Sequence, residues 1–275
     1  MRKFLVFLFV CVFLFVCQFS FADEYLEDAS QPIDAAESVK SEESEEDEIS
    51  LSFFYNSPIP FHIYIPIEYR NQKLPVLYLL HGQGQSEKLW EDLGVYELMD
   101  EMLRSGEIKP MIIVAPREAN YYSNMDESEF PSKLMNDLFP AIDNSFPTIK
   151  TREARAIGGI SRGALWAQMI VVDYYSKFSV LGQHSLPNPY YSEYIVRKRT
   201  VEHTEYPLPD VYIDTGNEDP YAKGASDFSA QLTNLGWPHE YHFGVGDHDN
   251  DYWSSQVKNY LLWYSEKLWN HISDN

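Results

Sequence analysis

Past residue 17 the chain contains no cysteine; its two, Cys11 and Cys17, both fall among the first 22 residues. A fold built from the remainder has no disulfide framework, no thiolate metal site and no cysteine nucleophile. Basic residues are scarce as well. There are 21 Lys and Arg against 42 Asp and Glu, a formal net charge of −21, and so acidic a surface repels phosphate backbones, which excludes nucleic acid as a partner. Neither a dinucleotide-type glycine loop nor a P-loop occurs, and there is no His-Glu-x-x-His pair or Cys/His cluster, so no metal or other cofactor is expected. No repeat of fixed period occurs, which argues against a solenoid or propeller.

The longest apolar run sits at the N-terminus, where Arg2 and Lys3 precede an unbroken stretch from Phe4 to Cys17 followed by Ser20-Phe21-Ala22. This reads as a signal peptide over 1–22, cleaved after Ala22. The run is short for a membrane span, so a retained anchor is the lesser alternative and no stable membrane insertion is expected after cleavage. Bulky Val16 before Cys17 disfavours a lipid-attachment site. The mature protein is therefore expected to be secreted or periplasmic. Residues 23–50 carry twelve acidic residues against Lys40 alone, including Ser41-Glu-Glu-Ser-Glu-Glu-Asp-Glu48. Self-repulsion and the lack of apolar periodicity make this segment an acidic, disordered linker. Residues 51–275, about 225 in all, are ample for one compact domain.

In that domain, apolar runs of strand length alternate with segments of helical period, the pattern of an α/β fold with a mostly parallel sheet. Strands are expected at 61–67, 75–80, 111–115, 154–160, 178–182, 211–214 and 241–245, and helices at 96–104, 131–146, 162–175, 221–235 and 251–269. In the helix opening at Arg162, Ala164, Ala167, Ile170 and Val171 share one face, and the small residues permit close approach to a sheet.

Between a predicted strand and that helix stands Gly159-Ile160-Ser161-Arg162-Gly163, the sequence form of a nucleophile elbow. In such a turn the backbone doubles back on itself and the flanking positions must be small. Three further features lie at the carboxyl ends of predicted strands, where open α/β sheets bind ligands. Leu79-Leu80-His81-Gly82-Gln83-Gly84 can aim the Gln83 amide, with the Arg162 amide, at a developing oxyanion, while His81 fixes its own loop. Asp214-Thr-Gly-Asn-Glu218-Asp219 supplies a carboxylate to orient a histidine, with Asp219 ahead of Asp214 and Glu218 behind both. Gly246-Asp-His248-Asp-Asn-Asp-Tyr-Trp253 presents His248 on a loop that can reach the serine, with His184 as its rival. Asp247, Asp249 and Asp251 imitate the start of a calcium loop, but Tyr252 and Lys258 stand where its glycine and bidentate glutamate belong, so no metal is implied.

Over these residues, from about Phe53 to the C-terminus, the chain resembles the esterase D and feruloyl esterase-like branch of the α/β-hydrolase fold. The likeness is carried by Pro75-Val-Leu-Tyr-Leu-Leu-His-Gly-Gln-Gly84, Trp90, Gly106-Glu-Ile-Lys-Pro-Met-Ile-Ile-Val-Ala-Pro116 and Arg155-Ala-Ile-Gly-Gly-Ile-Ser-Arg-Gly163. The resemblance implies Ser161 as nucleophile, Asp219 as acid, His248 as base, and an oxyanion hole at Gln83 and Arg162. Ala164 replaces a second glycine common in the branch. The short stretch from Ser185 to Pro207, with Tyr190, Tyr191 and Tyr194, leaves little room for a cap domain.

The expected activity is a serine carboxylic-ester hydrolase working through an acyl-enzyme. Its partner would be a small-molecule or polysaccharide-linked ester, and the branch suggests feruloyl or acetyl groups on carbohydrate. Trp90, Tyr121, Tyr122 and Trp253 are candidates for lining the acyl or alcohol pocket. An acyltransferase, a siderophore esterase, or a domain binding carbohydrate or envelope components without turnover are the competing readings.

Overall fold

The computed structural model describes residues 50–55, 59–187 and 205–273. The leader, the acidic segment up to residue 49, and Tyr190, Tyr191 and Tyr194 lie outside them. Eight strands form one sheet: β1 (Ser50–Tyr55), β2 (Phe61–Pro66), β3 (Val76–Leu80), β4 (Ile112–Pro116), β5 (Arg155–Ile160), β6 (Val180–His184), β7 (Asp210–Gly216) and β8 (His239–Gly244). Their order is β1-β2-β4-β3-β5-β6-β7-β8. β2 is antiparallel to β1 and β4, and every pair from β4 to β8 is parallel.

The central strands are apolar throughout because both faces of the sheet are covered. Along β3, Val76, Tyr78 and Leu80 enter one core cluster and Leu77 and Leu79 the other. The first cluster is closed by α3 (Phe130–Lys133), α4 (Phe139–Ser145), α5 (Arg162–Asp173) and α6 (Ala222–Asn234). The second is closed by α1 (Leu89–Asp92), α2 (Val95–Ser105) and α7 (Asn250–Ser273). None of these helices is long and apolar enough to cross a membrane.

Several expected elements differ from the observed ones. β1 was not anticipated, since it is an edge strand with Phe53 turned to solvent and lacks the buried run that marks the others. The helix expected over 131–146 is interrupted by a π-turn at Leu134–Leu138. Pro140 has no N–H to offer and its ring crowds the carbonyl one turn earlier, so the preceding turn widens. β6 and β7 both run two residues past their expected ends, which places His184 and Asp214 inside the sheet and directly opposite each other.

Candidate active site

Ser161 joins β5 to α5 at φ 54 and ψ −117. Such a conformation costs a non-glycine residue about 1–3 kcal/mol and persists only where the surroundings enforce it. Here they do. A Cβ at Gly163 would stand 2.5 Å from the Leu80 carbonyl oxygen, and one at Gly159 would stand 2.5 Å from the Gly163 carbonyl carbon. Helix, elbow and β3 therefore interlock as backbone against backbone. The Ser161 N–H donates to the His184 carbonyl at 2.9 Å, which ties the elbow to β6.

Asp219 and His248, the expected acid and base, come from turns after β7 and β8 that are hydrogen-bonded to each other. The Asn217 N–H donates to the Gly244 carbonyl and the Glu218 N–H to the Gly246 carbonyl, each at 2.9 Å. The Asn217 side chain accepts the Gly246 N–H at 2.9 Å. A side chain at Gly216 would meet the Gly246 carbonyl oxygen at 2.2 Å, so glycine is required for the two turns to close. Asp249 accepts the Tyr252 N–H at 2.9 Å and caps α7. The result is a continuous chain: His248 Nε2 lies 2.9 Å from Ser161 Oγ, and His248 Nδ1 lies 2.9 Å from Asp219 Oδ2. The Asp219 side chain is fully enclosed while His248 keeps 19% exposure. Burial alone raises the Asp219 pKa, but hydrogen bonds from His248, the Tyr221 amide and Ser185 overcome it and leave a net lowering, so the carboxylate is ionised.

A second network surrounds the loop after β3. The buried carboxylate of Glu118 accepts Nε and Nη2 of Arg162 at 2.8 and 2.6 Å and the Trp166 indole at 2.9 Å. Arg162 also donates to the Ser123 carbonyl at 3.0 Å, holding the loop that bears Tyr121 and Tyr122. The Glu118 N–H donates to His81 Nε2 at 2.8 Å. That nitrogen is therefore unprotonated, and Nδ1–H donates to the Gly82 carbonyl at 2.8 Å. Burial lowers the His81 pKa, in keeping with a neutral ring. The Gly82 N–H is taken by Gln85 Oε1, which leaves the Gln83 amide at the corner of the turn. The Arg162 amide opens α5, where the first N–H groups have no acceptor within the helix.

The sequence matches a family model described as "Putative esterase" over residues 52–264. The chain belongs to that family of esterases. Among its curated relatives, the endo-1,4-beta-xylanase/feruloyl esterase of Xylanibacter ruminicola is 29% identical over 195 residues, covering 66% of this chain and 27% of the relative. An esterase of Mycobacterium tuberculosis is 26% identical over 242 residues, covering 68% of this chain and 52% of the relative. The chain thus spans about half or less of the length of these relatives. A solved ferulic acid esterase of Anaeromyces mucronatus aligns with a TM-score of 0.66 at 21% identity, covering 80% of this chain and 93% of that one. The shared architecture is the α/β-hydrolase fold.

Within this fold two expected pocket residues lie elsewhere. Trp90 is 1% exposed and packs 6.2 Å from the His184 ring, sealed in the core by α1, so it does not line a pocket. Trp253 is also buried and stands edge-on to His248 at 5.2 Å, packed against the imidazole. Tyr121 and Tyr122 are on the surface with rings 4.5 Å apart, and Tyr122 is 81% exposed. His184 is enclosed and bound on both nitrogens, to Asp214 at 2.7 Å and Tyr264 at 2.9 Å, so it cannot reach Ser161. Glu118 and Ser185 were missed. The position of each just past a strand's carboxyl end was the signal available.

Proposed function

We propose that this chain is an exported serine esterase that hydrolyses carboxylic esters through an acyl-enzyme. The observation that carries the reading is the unbroken Ser161–His248–Asp219 chain, with 2.9 Å at both links. In the proposed reaction His248 Nε2 takes the Ser161 proton as Oγ attacks the ester carbonyl, and Asp219 holds the Nδ1–H tautomer and balances the imidazolium. The amides of Gln83 and Arg162 donate to the oxyanion, each such donor being worth roughly 10²–10³ in rate. His248 then protonates the leaving alkoxide, and water, activated by the same imidazole, releases the acid and restores Ser161.

Feruloyl or acetyl groups on plant carbohydrate are the proposed substrates, the feruloyl group being supported by the Xylanibacter ruminicola relative, an endo-1,4-beta-xylanase/feruloyl esterase. Half-buried Tyr121 and exposed Tyr122, on a loop tied to the elbow residue Arg162, suit contact with a planar acyl group or a sugar ring. A fluorophosphonate probe should add one adduct to the wild type by intact mass and none to Ser161→Ala; an unlabelled but folded wild type refutes the reading. A panel of acetyl, butyryl and feruloyl esters then ranks acyl groups, and preference for butyryl would refute the substrate class. Residues 1–22 are proposed as a cleaved leader, 23–50 as an acidic linker and 51–275 as the catalytic domain. N-terminal sequencing of exported protein should begin at Asp23, and a start at Met1 contradicts cleavage.

A further inference from the structure

Strand β6 ends at His184, and the next residue, Ser185, turns away at φ 49 with no solvent exposure. This dipeptide touches Ser161 directly and His248 through Trp253. The His184 carbonyl accepts the Ser161 N–H, and the Ser185 N–H donates to the Asp214 carbonyl, both at 2.9 Å. Trp253 Nε1–H donates to Ser185 Oγ at 2.9 Å, and the same indole stands edge-on to His248. With Oγ accepting the indole proton, the hydroxyl hydrogen is free to donate, and the neighbouring Asp219 carboxylate, whose pKa Ser185 helps to lower, is the acceptor it would serve.

We propose that Ser185 is a positioning residue for ester hydrolysis: its hydroxyl, held in one rotamer by Trp253, fixes the Asp219 carboxylate with Oδ2 towards His248 Nδ1. The inference rests on the reading of Ser161, His248 and Asp219 as the triad. An enclosed carboxylate needs donors for its lone pairs. The Tyr221 N–H serves Oδ1 at 2.8 Å, His248 serves Oδ2 at 2.9 Å, and Ser185 supplies a third. Indole N–H, hydroxyl and carboxylate run donor to acceptor in one direction, so each bond polarises the next. The backbone at this position would be satisfied better by glycine, which adopts positive φ without cost. A serine retained here accepts that strain and contributes its hydroxyl.

The test compares the full chain as wild type, Ser185→Ala, Ser185→Gly, Asp219→Asn and the Ser185→Ala/Asp219→Asn double variant on p-nitrophenyl acetate. Ser185→Ala should lower kcat about tenfold or more with KM unchanged, the scale of a lost hydrogen bond to a charged group. The acid limb of kcat/KM should move to higher pH, because a carboxylate deprived of a donor holds a proton on the dyad more tightly. Ser185→Gly should show the same kinetic loss at a Tm equal to or higher than that of Ser185→Ala. In the Asp219→Asn background Ser185→Ala should cost nothing further, since it acts through the group already removed. An equal loss in both backgrounds, or an unmoved acid limb, overturns the assignment of Ser185 while leaving the triad standing. If Asp219→Asn itself keeps full kcat, the triad reading falls, and the inference with it.

Discussion

Asp214 and Asp219 lie five positions apart at the end of β7, and both are buried, yet their surroundings differ in kind. Asp214 accepts the hydroxyls of Tyr252 and Tyr260 at 2.9 and 2.7 Å and faces His184 at 2.7 Å, all inside the core. Asp219 faces a histidine that still touches solvent. Asp214→Ala strands three buried partners at roughly 1 kcal/mol or more each. At 2–4 °C per kcal/mol for a domain of this size, Tm should fall by about 10 °C. Asp219→Ala should lose less Tm but about 10⁴ in kcat. Calorimetry and steady-state kinetics on the pair check this; an active Asp219→Ala beside a folded, inactive Asp214→Ala would move the acid to Asp214.

At the scale of elements, the β3–elbow–α5 junction determines where Ser161, the proposed nucleophile, stands. The oxygens nearest a Cβ on Gly163 belong to the backbone of Leu80 and His81, at 2.5 and 2.7 Å, and backbone in a central strand yields little. Gly163→Ala should therefore push α5 off β3, destabilising the domain by about 1–3 kcal/mol, as overpacking does. The Arg162 amide would be displaced with it. A lower guanidinium midpoint and slower fluorophosphonate labelling are the expected results, and an unchanged midpoint would contradict the close approach. The same small-residue pattern was legible in sequence, because close packing requires glycine or alanine at fixed spacing. The π-turn before Pro140 was not, since a periodicity reading carries no information on how a helix absorbs a proline.

For the whole molecule, acid should be destabilising before the carboxylates titrate. Burial, with the nearby Lys88 charge adding to it, lowers the His62 pKa to about 4, and burial lowers that of His81. Both titrate near 6.5 when unfolded. Below that value the unfolded chain binds more protons than the folded one, so stability is complete above about pH 6.5 and is lost as pH falls towards 4. Denaturation midpoints measured from pH 7.5 to 4 should decline steadily, and a flat or rising series would refute neutral buried histidines. By itself the sequence determined the alternation of strands and helices and the Gly-x-Ser-x-Gly elbow, and it marked Ser161, Asp219 and His248 as candidates in that chain order. Each of these rests on runs of neighbouring residues. Only the tertiary structure decided that Trp90 is core, that His184 is bound to Asp214 and Tyr264, that Glu118 holds Arg162, and that Trp253 stands between Ser185 and His248. Those outcomes depend on strand register and on which distant side chains meet, and contacts across 29 to 87 residues leave no local pattern to read.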